Sequence, residues 1–274
     1  MYIALGTRLP HLEEAGLSQV PFDHLAEDYD RTYAMTRVGL LQRAQVWHHI
    51  DRLWHPGQQV LELGCGTGID AEYLARRGVG VLATDSSVRM IEQAARRCRF
   101  TDLVRTRVLA AENVAAVDGQ FNGVFSNFAA LNCVVDLDRF ACALAPRVVP
   151  GSPVVVCLFG RSCLWEMAGY LGRGQPRRAL RRWRPGTVRV SIGTGAEVLV
   201  VYHDRGQVVR AFAPWFRLEA MLGIGFAVPP TYLHGPVERW PRWFELGSRL
   251  DQRLARYWPV NRLADHVLYI LQRV

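Results

Sequence analysis

The sequence has 274 residues, half of them hydrophobic, which suits one large α/β domain or one domain that carries insertions. No apolar run approaches the roughly 18 to 20 residues that cross a membrane. The first residues include Arg8, Glu13 and Glu14 and lack the apolar segment of a secretory signal. Basic residues exceed acidic ones by 33 to 25, a net charge of +8. All 33 are arginine, and much of the excess falls between Glu166 and Glu197, so a globally basic nucleic-acid-binding protein is not indicated.

The six cysteines are scattered along the chain, without a C-x-x-C pair. Several stand in stretches that read as core. This pattern predicts reduced thiols in a cytoplasmic protein rather than disulfides or a zinc site. The spacing of His, Cys and Asp residues does not indicate a metal site either.

Residues 22–55 read as helical, with apolar residues recurring at helical spacing: Leu40, Leu41, Ala44, Val46, Trp47 and Ile50. After Pro56-Gly57, strands and helices alternate. The predicted strands are 59–63, 80–84, 105–109, 121–127 and 153–159, and the predicted helices are 69–77, 87–98 and 136–146. Such alternation predicts a doubly wound, mostly parallel sheet with helices on both faces.

The pattern changes after Gly160. Residues 161–185 read as helix interrupted at Pro176, and the runs 188–192 and 197–203 read as a hairpin. A helix at 206–216 and strands at 217–225 and 265–273 then return to the sheet, with a Trp- and Arg-rich helical insertion at 230–262. We therefore predict an N-terminal helical segment (1–58), an α/β core (59–160), an inserted α+β cap (161–205) and a segment that completes the sheet (206–274).

The stretch VLELGCGTGID, residues 60–70, places three alternate glycines between a buried strand and a helix. Glycine at such a turn permits positive φ and lets a ligand approach the main chain. The next strand ends at Asp85, whose carboxylate can accept the hydroxyl protons of a ribose. The order of Glu62, the three glycines and Asp85 resembles the first two motifs of class I S-adenosylmethionine-dependent methyltransferases, in particular the small-molecule branch that includes ubiquinone- and menaquinone-biosynthesis enzymes.

The resemblance implies a Rossmann-like sheet with an antiparallel last strand, and S-adenosylmethionine as cofactor. It implies that Tyr29, with Phe22 beside it, closes over the cofactor. It also implies that Asp85 binds the ribose, that Ser86, Met90 and Glu112 lie near the adenine, and that Asn127 and Phe128 face the sulfonium. The glycine turn would contact the methionine and ribose part of the cofactor through Glu62, Gly64, Cys65, Gly66 and Gly68.

The residue that would take a proton from the methyl acceptor is harder to identify from the sequence. His203, His24 and Tyr29 are our candidates, with His234 beside them, because each falls in a segment that can line the acceptor pocket. A purely structural role for each histidine stays open.

We predict a small, aromatic or apolar methyl acceptor such as a natural product, a quinone or a lipid-like molecule. The segments 161–205 and 230–262 would enclose it, with Trp240 and Trp243 at the opening. The arginine-rich stretch Arg177–Arg184 would present its guanidinium groups to solvent opposite Ala179, Leu180 and Trp183. There it could contact an anionic substrate or an anionic membrane.

Two other interpretations stay open: an RNA methyltransferase that uses the arginine-rich stretch, and a non-catalytic protein that binds S-adenosylmethionine. Nucleic-acid substrates are disfavoured because Ser126-Asn127-Phe128-Ala129 lacks the Asn/Asp-Pro-Pro-aromatic motif of enzymes that methylate base amines. A nucleotide-dependent oxidoreductase is disfavoured by the glycine spacing. The sequence does not indicate the oligomeric state.

Overall fold

The computed structural model describes residues 22–192, 196–233 and 235–274 of the chain. The strands in these ranges are β1 (Gln59–Leu63), β2 (Gly80–Asp85), β3 (Val104–Val108), β4 (Gly123–Ser126), β5 (Pro153–Phe159), β6 (Thr187–Ile192), β7 (Ala196–Val201), β8 (Phe216–Ile224) and β9 (His266–Arg273). The helices are α1 (Arg37–Ile50), α2 (Ile69–Ala75), α3 (Val88–Arg97), α4 (Leu137–Leu144), α5 (Leu164–Leu171), α6 (Pro176–Ala179), α7 (Arg205–Phe212), α8 (Gly235–Arg239), α9 (Pro241–Leu254) and α10 (Val260–Leu263).

Seven of the described strands form one sheet in the order β3-β2-β1-β4-β5-β9-β8. The pairs from β3 through β5 are parallel, and β9 runs antiparallel to both of its neighbours. The predicted doubly wound sheet and its antiparallel last strand are therefore confirmed. Strands β6 and β7 form the separate hairpin that the sequence predicts.

Helices cover both faces of the sheet. A core beneath α4 and α7 takes alternate residues of β1, β5 and β9, and the opposite core takes the intervening residues beneath α1, α2 and α3. This division follows from the two-residue period of a strand whose two faces are both buried. Because β1, β2, β4 and β5 are parallel, their carboxyl ends lie at the same edge of the sheet, where ligands of such sheets bind.

Helix α1 differs from its predicted packing. Val46 and Ile50 are buried as expected, but Leu40 and Ala44 are exposed. Three polar side chains, those of Gln42, Arg43 and Gln45, are buried in their place. Apolar spacing alone does not locate the buried face of α1, because α1 is covered by the insertion at 230–262 as well as by the sheet.

Hydrogen bonds to that insertion and to the segment that leads into it explain the buried amides of α1. Gln45 Nε2 donates to Ser248 Oγ of α9 at 3.0 Å, and Gln45 Oε1 accepts from the backbone of Gly225 at 2.9 Å. Gln42 Nε2 donates to the carbonyl of Pro229 at 3.1 Å. Each buried amide is thus paired, as burial of a polar group requires.

The arginine-rich stretch is only partly a surface feature, contrary to our expectation. Arg182 is 4% exposed, and Arg181 pairs with the buried Glu166. Of the three residues placed opposite the guanidinium groups, Ala179 is buried, whereas Leu180 and Trp183 are exposed. Helix α6 and the turn that follows it place Arg182 inward because buried carboxylates there compensate its charge.

Several predicted features fall outside the described residues: positions 1–21, the hairpin turn at 193–195 and His234. All six cysteines are free thiols. Within the described ranges, no helix is long and apolar enough to cross a membrane, and no group of three or more His, Cys, Asp or Glu residues is placed to hold a metal ion.

Candidate functional site

The glycine turn after β1 combines tight packing with one open position. Gly64, Gly66 and Gly68 have φ of 71°, 53° and 79°. A Cβ on Gly64 would lie 2.2 Å from Cβ of Ala130, and one on Gly68 would lie 2.8 Å from Cβ of Ala94. The nearest atom to a Cβ on Gly66 is Cε1 of Tyr29, at 3.9 Å. Gly64 and Gly68 therefore let neighbouring segments pack, whereas Gly66 leaves space beside the main chain beneath Tyr29.

Asp85 lies against this turn from the end of β2. Its Oδ2 accepts from the backbone N–H of Gly66 at 2.9 Å, and its Oδ1 accepts from Ser87 at 2.9 Å. Burial raises the pKa of Asp85, although the backbone hydrogen bonds oppose the shift. Ser86 is exposed beside it, and Met90 is buried at the start of α3.

Glu62 is the buried carboxyl group of β1 beneath the same turn. It is 1% exposed, and its Oε2 has no hydrogen-bond partner. Burial raises its pKa well above the usual range, Asp70 raises it further, and Arg43 opposes them. An unpaired buried carboxyl oxygen is costly, and a cationic ligand group such as an ammonium would satisfy it.

A buried ion pair joins α1 to α2 beside Glu62. Arg43 pairs through Nη1 with Asp70, and the carboxylate of Asp70 also accepts from Trp47 Nε1 at 2.7 Å and from Asn127 Nδ2 at 2.9 Å. Arg43 Nε is buried without a partner. Arg43 and Asp70 were not among the site residues predicted from the sequence. Arg43 stands three and seven positions before Val46 and Ile50 on the same helix face, so its place on the buried stripe was detectable.

The chain turns sharply after β4, where Phe128 and Ala129 have φ of 46° and 69°. Left-handed conformations are uncommon in residues other than glycine and occur frequently at functional sites. The turn aims Asn127 at Asp70 and places the Phe128 ring 4.8 Å beneath the guanidinium of Arg43. Asn127 is thus brought to the glycine turn through Asp70.

The N-terminal segment is fastened across the turn by two carboxylates. Asp30 accepts from Thr67 Oγ1 at 2.5 Å and pairs with Arg97, and Asp23 accepts from Ser87 Oγ at 2.5 Å. Tyr29 is held between them. Burial raises the pKa of Tyr29, Arg43 opposes the shift, and Asp85 adds to it, as expected for a phenol that lies among these charges.

His266 is a third residue of this region that was not predicted from the sequence. It begins β9, and its ring stacks on Phe159 at 4.8 Å and meets Phe128 edge-on at 5.2 Å. Its Nδ1 is buried and lies 3.3 Å from Asp265 Oδ2, without a hydrogen bond of good geometry. Burial would raise the pKa of Asp265, but His266 and Arg182 hold it below its usual range. The sequence did contain a signal for it, because His266 stands at the start of the predicted strand 265–273. That strand pairs with β5 and places His266 opposite Phe159.

The predicted proton acceptors His24 and His203 lie at other places in the fold. His24 is exposed in the short 3-10 helix Asp23–Leu25. His203 is buried, with Nε2 3.1 Å from the carbonyl of Val134, and burial lowers its pKa. It lines a cleft of about 400 Å³ with Val267 and Tyr269, which belong to the α4/α7 side of the sheet. Trp47 and Phe128 pack on the opposite side of the sheet, although Phe159 lines this cleft as well.

Two further predicted cofactor residues differ in their surroundings. Glu112 is exposed on the 3-10 helix Ala111–Ala116, near Cys133. Cys65 is buried, and burial raises its thiol pKa well above the usual range, so its main chain rather than its sulfur is chemically available.

Comparisons with known proteins agree with this geometry. Residues 60–151 match the family model described as "Methyltransferase domain". The chain is 31% identical over 140 residues to the demethylmenaquinone methyltransferase of Tropheryma whipplei, covering 50% of this chain and 57% of that one. It is 32% identical over 107 residues to the ubiquinone biosynthesis O-methyltransferase of Brucella anthropi, covering 39% and 43%.

The fold recurs in the crystal structure of an S-adenosylmethionine-dependent methyltransferase from Mesorhizobium loti. The TM-score is 0.55 at 18% identity, covering 85% of this chain and all of that one. The chain spans 57% of the length of the Tropheryma relative, so the match is to a shared domain. The motif order, the sheet and the family match agree, and the chain therefore carries a domain of the class I S-adenosylmethionine-dependent methyltransferase family.

Proposed function

We propose that this protein transfers the methyl group of S-adenosylmethionine to a small aromatic or apolar acceptor that bears an ionisable hydroxyl group. The observation that carries the proposal is the open position at Gly66, which is flanked by Asp85, covered by Tyr29 and underlain by the unpaired oxygen of Glu62.

The residues around the turn fit the parts of the cofactor. The carboxylate of Asp85 is suited to the ribose hydroxyls, and Glu62 to the methionine ammonium. The unpaired Nε of Arg43 is suited to the methionine carboxylate. Ser86, Met90 and Glu112 remain our candidates for the adenine end. The backbone of the glycine turn would contact the rest of the methionine and ribose part of the cofactor, as the resemblance implies, through Gly64, Cys65, Gly66 and Gly68.

The bound cofactor supplies a methyl group already activated by a positively charged sulfur. The chain must therefore orient the acceptor and exclude water more than it must activate a leaving group. Tyr29 and the segment fastened by Asp23 and Asp30 would exclude water over the turn. Phe128 and Phe159, which pack against His266, would exclude water from its ring.

His266 replaces His203 and His24 as our candidate proton acceptor. It lies between Phe128 and Phe159, and Asp265 beside Nδ1 favours the tautomer that leaves the lone pair of Nε2 available. From that position Nε2 would take the proton of an acceptor hydroxyl. The guanidinium of Arg43, 4.8 Å from the centre of the Phe128 ring, would stabilise the acceptor anion that this proton transfer leaves.

The names of the relatives suggest a quinol as acceptor, since both are enzymes of quinone biosynthesis. An RNA substrate has less support, because Arg182 and Arg181 are engaged with Glu166 and are not available to phosphates. The exposed Arg177, Arg178 and Arg184 could still attract an anionic acceptor.

Calorimetry with S-adenosylhomocysteine, followed by methyl transfer to 1,4-naphthohydroquinone, tests the proposal. We expect binding to the protein and a product heavier by one methyl group. A protein that does not bind S-adenosylhomocysteine would refute the cofactor site. A protein that binds it but does not methylate this probe or simple phenols would refute the acceptor class.

A further inference from the structure

Helix α9 carries an exposed apolar stripe. Four large, exposed side chains form it, and we call them the α9 stripe: Trp243, Leu246, Leu250 and Leu254. Trp243 is 73% exposed. Their spacing of three, four and four residues places them along one side of the helix. Exposed apolar patches of this kind mark interaction surfaces more often than single scattered residues do.

The α9 stripe is not a displaced core face, because α9 has another face that is buried. Ser248, Asp251 and Ala255 lie on that buried face. Asp251 accepts from the backbone of Phe226 at 3.1 Å and of Ala227 at 2.8 Å, and Ser248 accepts from Gln45. The helix is therefore fixed in orientation, and the stripe is held outward.

A row of arginines borders the stripe on one side. Arg242, Arg249 and Arg253 are exposed and stand seven and four residues apart, which places them along one line of the helix. None of them forms an ion pair with a described residue. Their charge is therefore available to an anionic partner.

Aromatic side chains extend the apolar surface beyond both ends of the stripe. Trp240 precedes α9, and Tyr257 and Trp258 follow it; Trp258 is 78% exposed. Tryptophan and tyrosine favour the boundary between lipid headgroups and acyl chains, where one end of the ring is apolar and the other is hydrated. The sequence had suggested Trp240 and Trp243 as walls of the acceptor opening, and their exposure agrees better with an external surface.

We propose that the α9 stripe and its arginine row dock on the surface of an anionic lipid bilayer. Apolar residues beside arginines, with tryptophan at the ends, are the features of a helix that lies in a membrane interface. The exposed arginines are attracted to an anionic surface. A second copy of this chain, with a net charge of +8, does not offer the complementary charge.

The position of α9 connects this surface to the methyltransferase site. Gln45 of α1 bonds to Ser248 of α9, and two residues earlier on α1 Arg43 pairs with Asp70 beside the glycine turn. Docking through α9 would therefore hold α1 and α9 at the surface of the bilayer. An apolar acceptor dissolved in the lipid would then lie close to the protein.

Flotation with vesicles of phosphatidylcholine alone and of mixed phosphatidylcholine and phosphatidylglycerol tests the surface directly. Three variants are compared: Trp243→Ser with Leu250→Ser, the triple Arg242→Gln, Arg249→Gln and Arg253→Gln, and a control triple Arg177→Gln, Arg178→Gln and Arg184→Gln. The two triples remove equal charge from exposed positions. Because vesicle binding requires no methyl transfer, the result does not depend on the proposed function.

We expect the wild-type protein and the control triple to bind mixed vesicles equally and neutral vesicles weakly. The α9 arginine triple should lose affinity on the order of 100-fold, and the Trp243/Leu250 variant on the order of tenfold or more. All variants should retain their unfolding temperature. Failure of the wild-type protein to bind mixed vesicles would overturn the proposal, as would equal losses in both triples. A wild-type dimer that Trp243→Ser and Leu250→Ser convert to monomer would overturn it in favour of a contact between copies.

Discussion

Arg182 donates from Nη2 to Oδ1 of Asp265 at 2.8 Å, and both side chains are buried. Arg182 also pairs with Glu166, and its Nη1 donates to the carbonyls of Gly160 and Asp265. One guanidinium thus joins the first insertion to the ends of β5 and β9. Because Asp265 also lies beside His266, the same group supports the proposed proton acceptor.

Removal of Arg182 should destabilise the protein strongly. Arg182→Ala would leave Glu166 and Asp265 as buried carboxylates without their main partner, a change that costs about 3 to 5 kcal/mol. Urea denaturation gives the free energy of unfolding. The matched control is Arg178→Ala in the same stretch, which is exposed and should change this free energy by no more than about 0.5 kcal/mol. Equal effects in the two variants would contradict the buried network.

Loss of the Asp85 carboxylate should weaken cofactor binding. We expect Asp85→Ala to reduce the affinity for S-adenosylhomocysteine by about 2 to 4 kcal/mol, because two charge-assisted hydrogen bonds to the ribose are lost. Titration calorimetry measures the change, with the exposed Asp118→Ala as control. Unchanged affinity in Asp85→Ala would remove Asp85 from the site.

Asp251 should make the stability of the protein depend on pH. Burial raises its pKa to about 6, although backbone N–H groups of residues 226–228 oppose the shift. A raised native pKa means that the folded protein holds this proton more tightly than the unfolded chain. The resulting stabilisation is complete below the unfolded value and is lost as the pH rises through about 6.

The comparison with Asp251→Asn isolates this effect, because asparagine does not titrate. The free energy of unfolding of the wild-type protein, relative to the variant, should fall by about 2 kcal/mol between about pH 4 and pH 7. Urea denaturation at a series of pH values measures it. A difference that stays constant over this range, or that grows with pH, would show that Asp251 titrates normally.

Replacement of His266 should slow methyl transfer without weakening cofactor binding. We expect His266→Gln to lower kcat on 1,4-naphthohydroquinone by a factor on the order of 10² to 10⁴. His49→Gln is the control, since His49 is a partly buried histidine of α1 outside the proposed site. Added imidazole should restore turnover in His266→Ala but not in a folding-defective variant. A His266→Gln protein with normal kcat would exclude the proposed role.

The sheet was predictable because its signals are local. Apolar runs bounded by glycine and proline locate β1, β2 and β5 within one residue, and the glycine turn with Asp85 indicates the ligand edge. The buried polar residues were not predictable in this way. Gln45 finds its partner Ser248 203 positions further along the chain, and Arg182 finds Asp265 83 positions away. Short-range patterns predict that such polar residues are exposed, because the group that pairs with each of them lies far away in the sequence.

Strand β3 forms one edge of the seven-stranded sheet, and its composition bears on solubility. An unpaired edge presents free backbone groups to which another chain can add. In β3 the exposed Arg105 and Arg107 alternate with Val104 and Thr106, so two identical edges would bring like charges together. The arginines of this strand thus protect the protein from self-association through its open edge. Their replacement by valine should cause aggregation at protein concentrations where the native chain stays dispersed, even if the fold is retained.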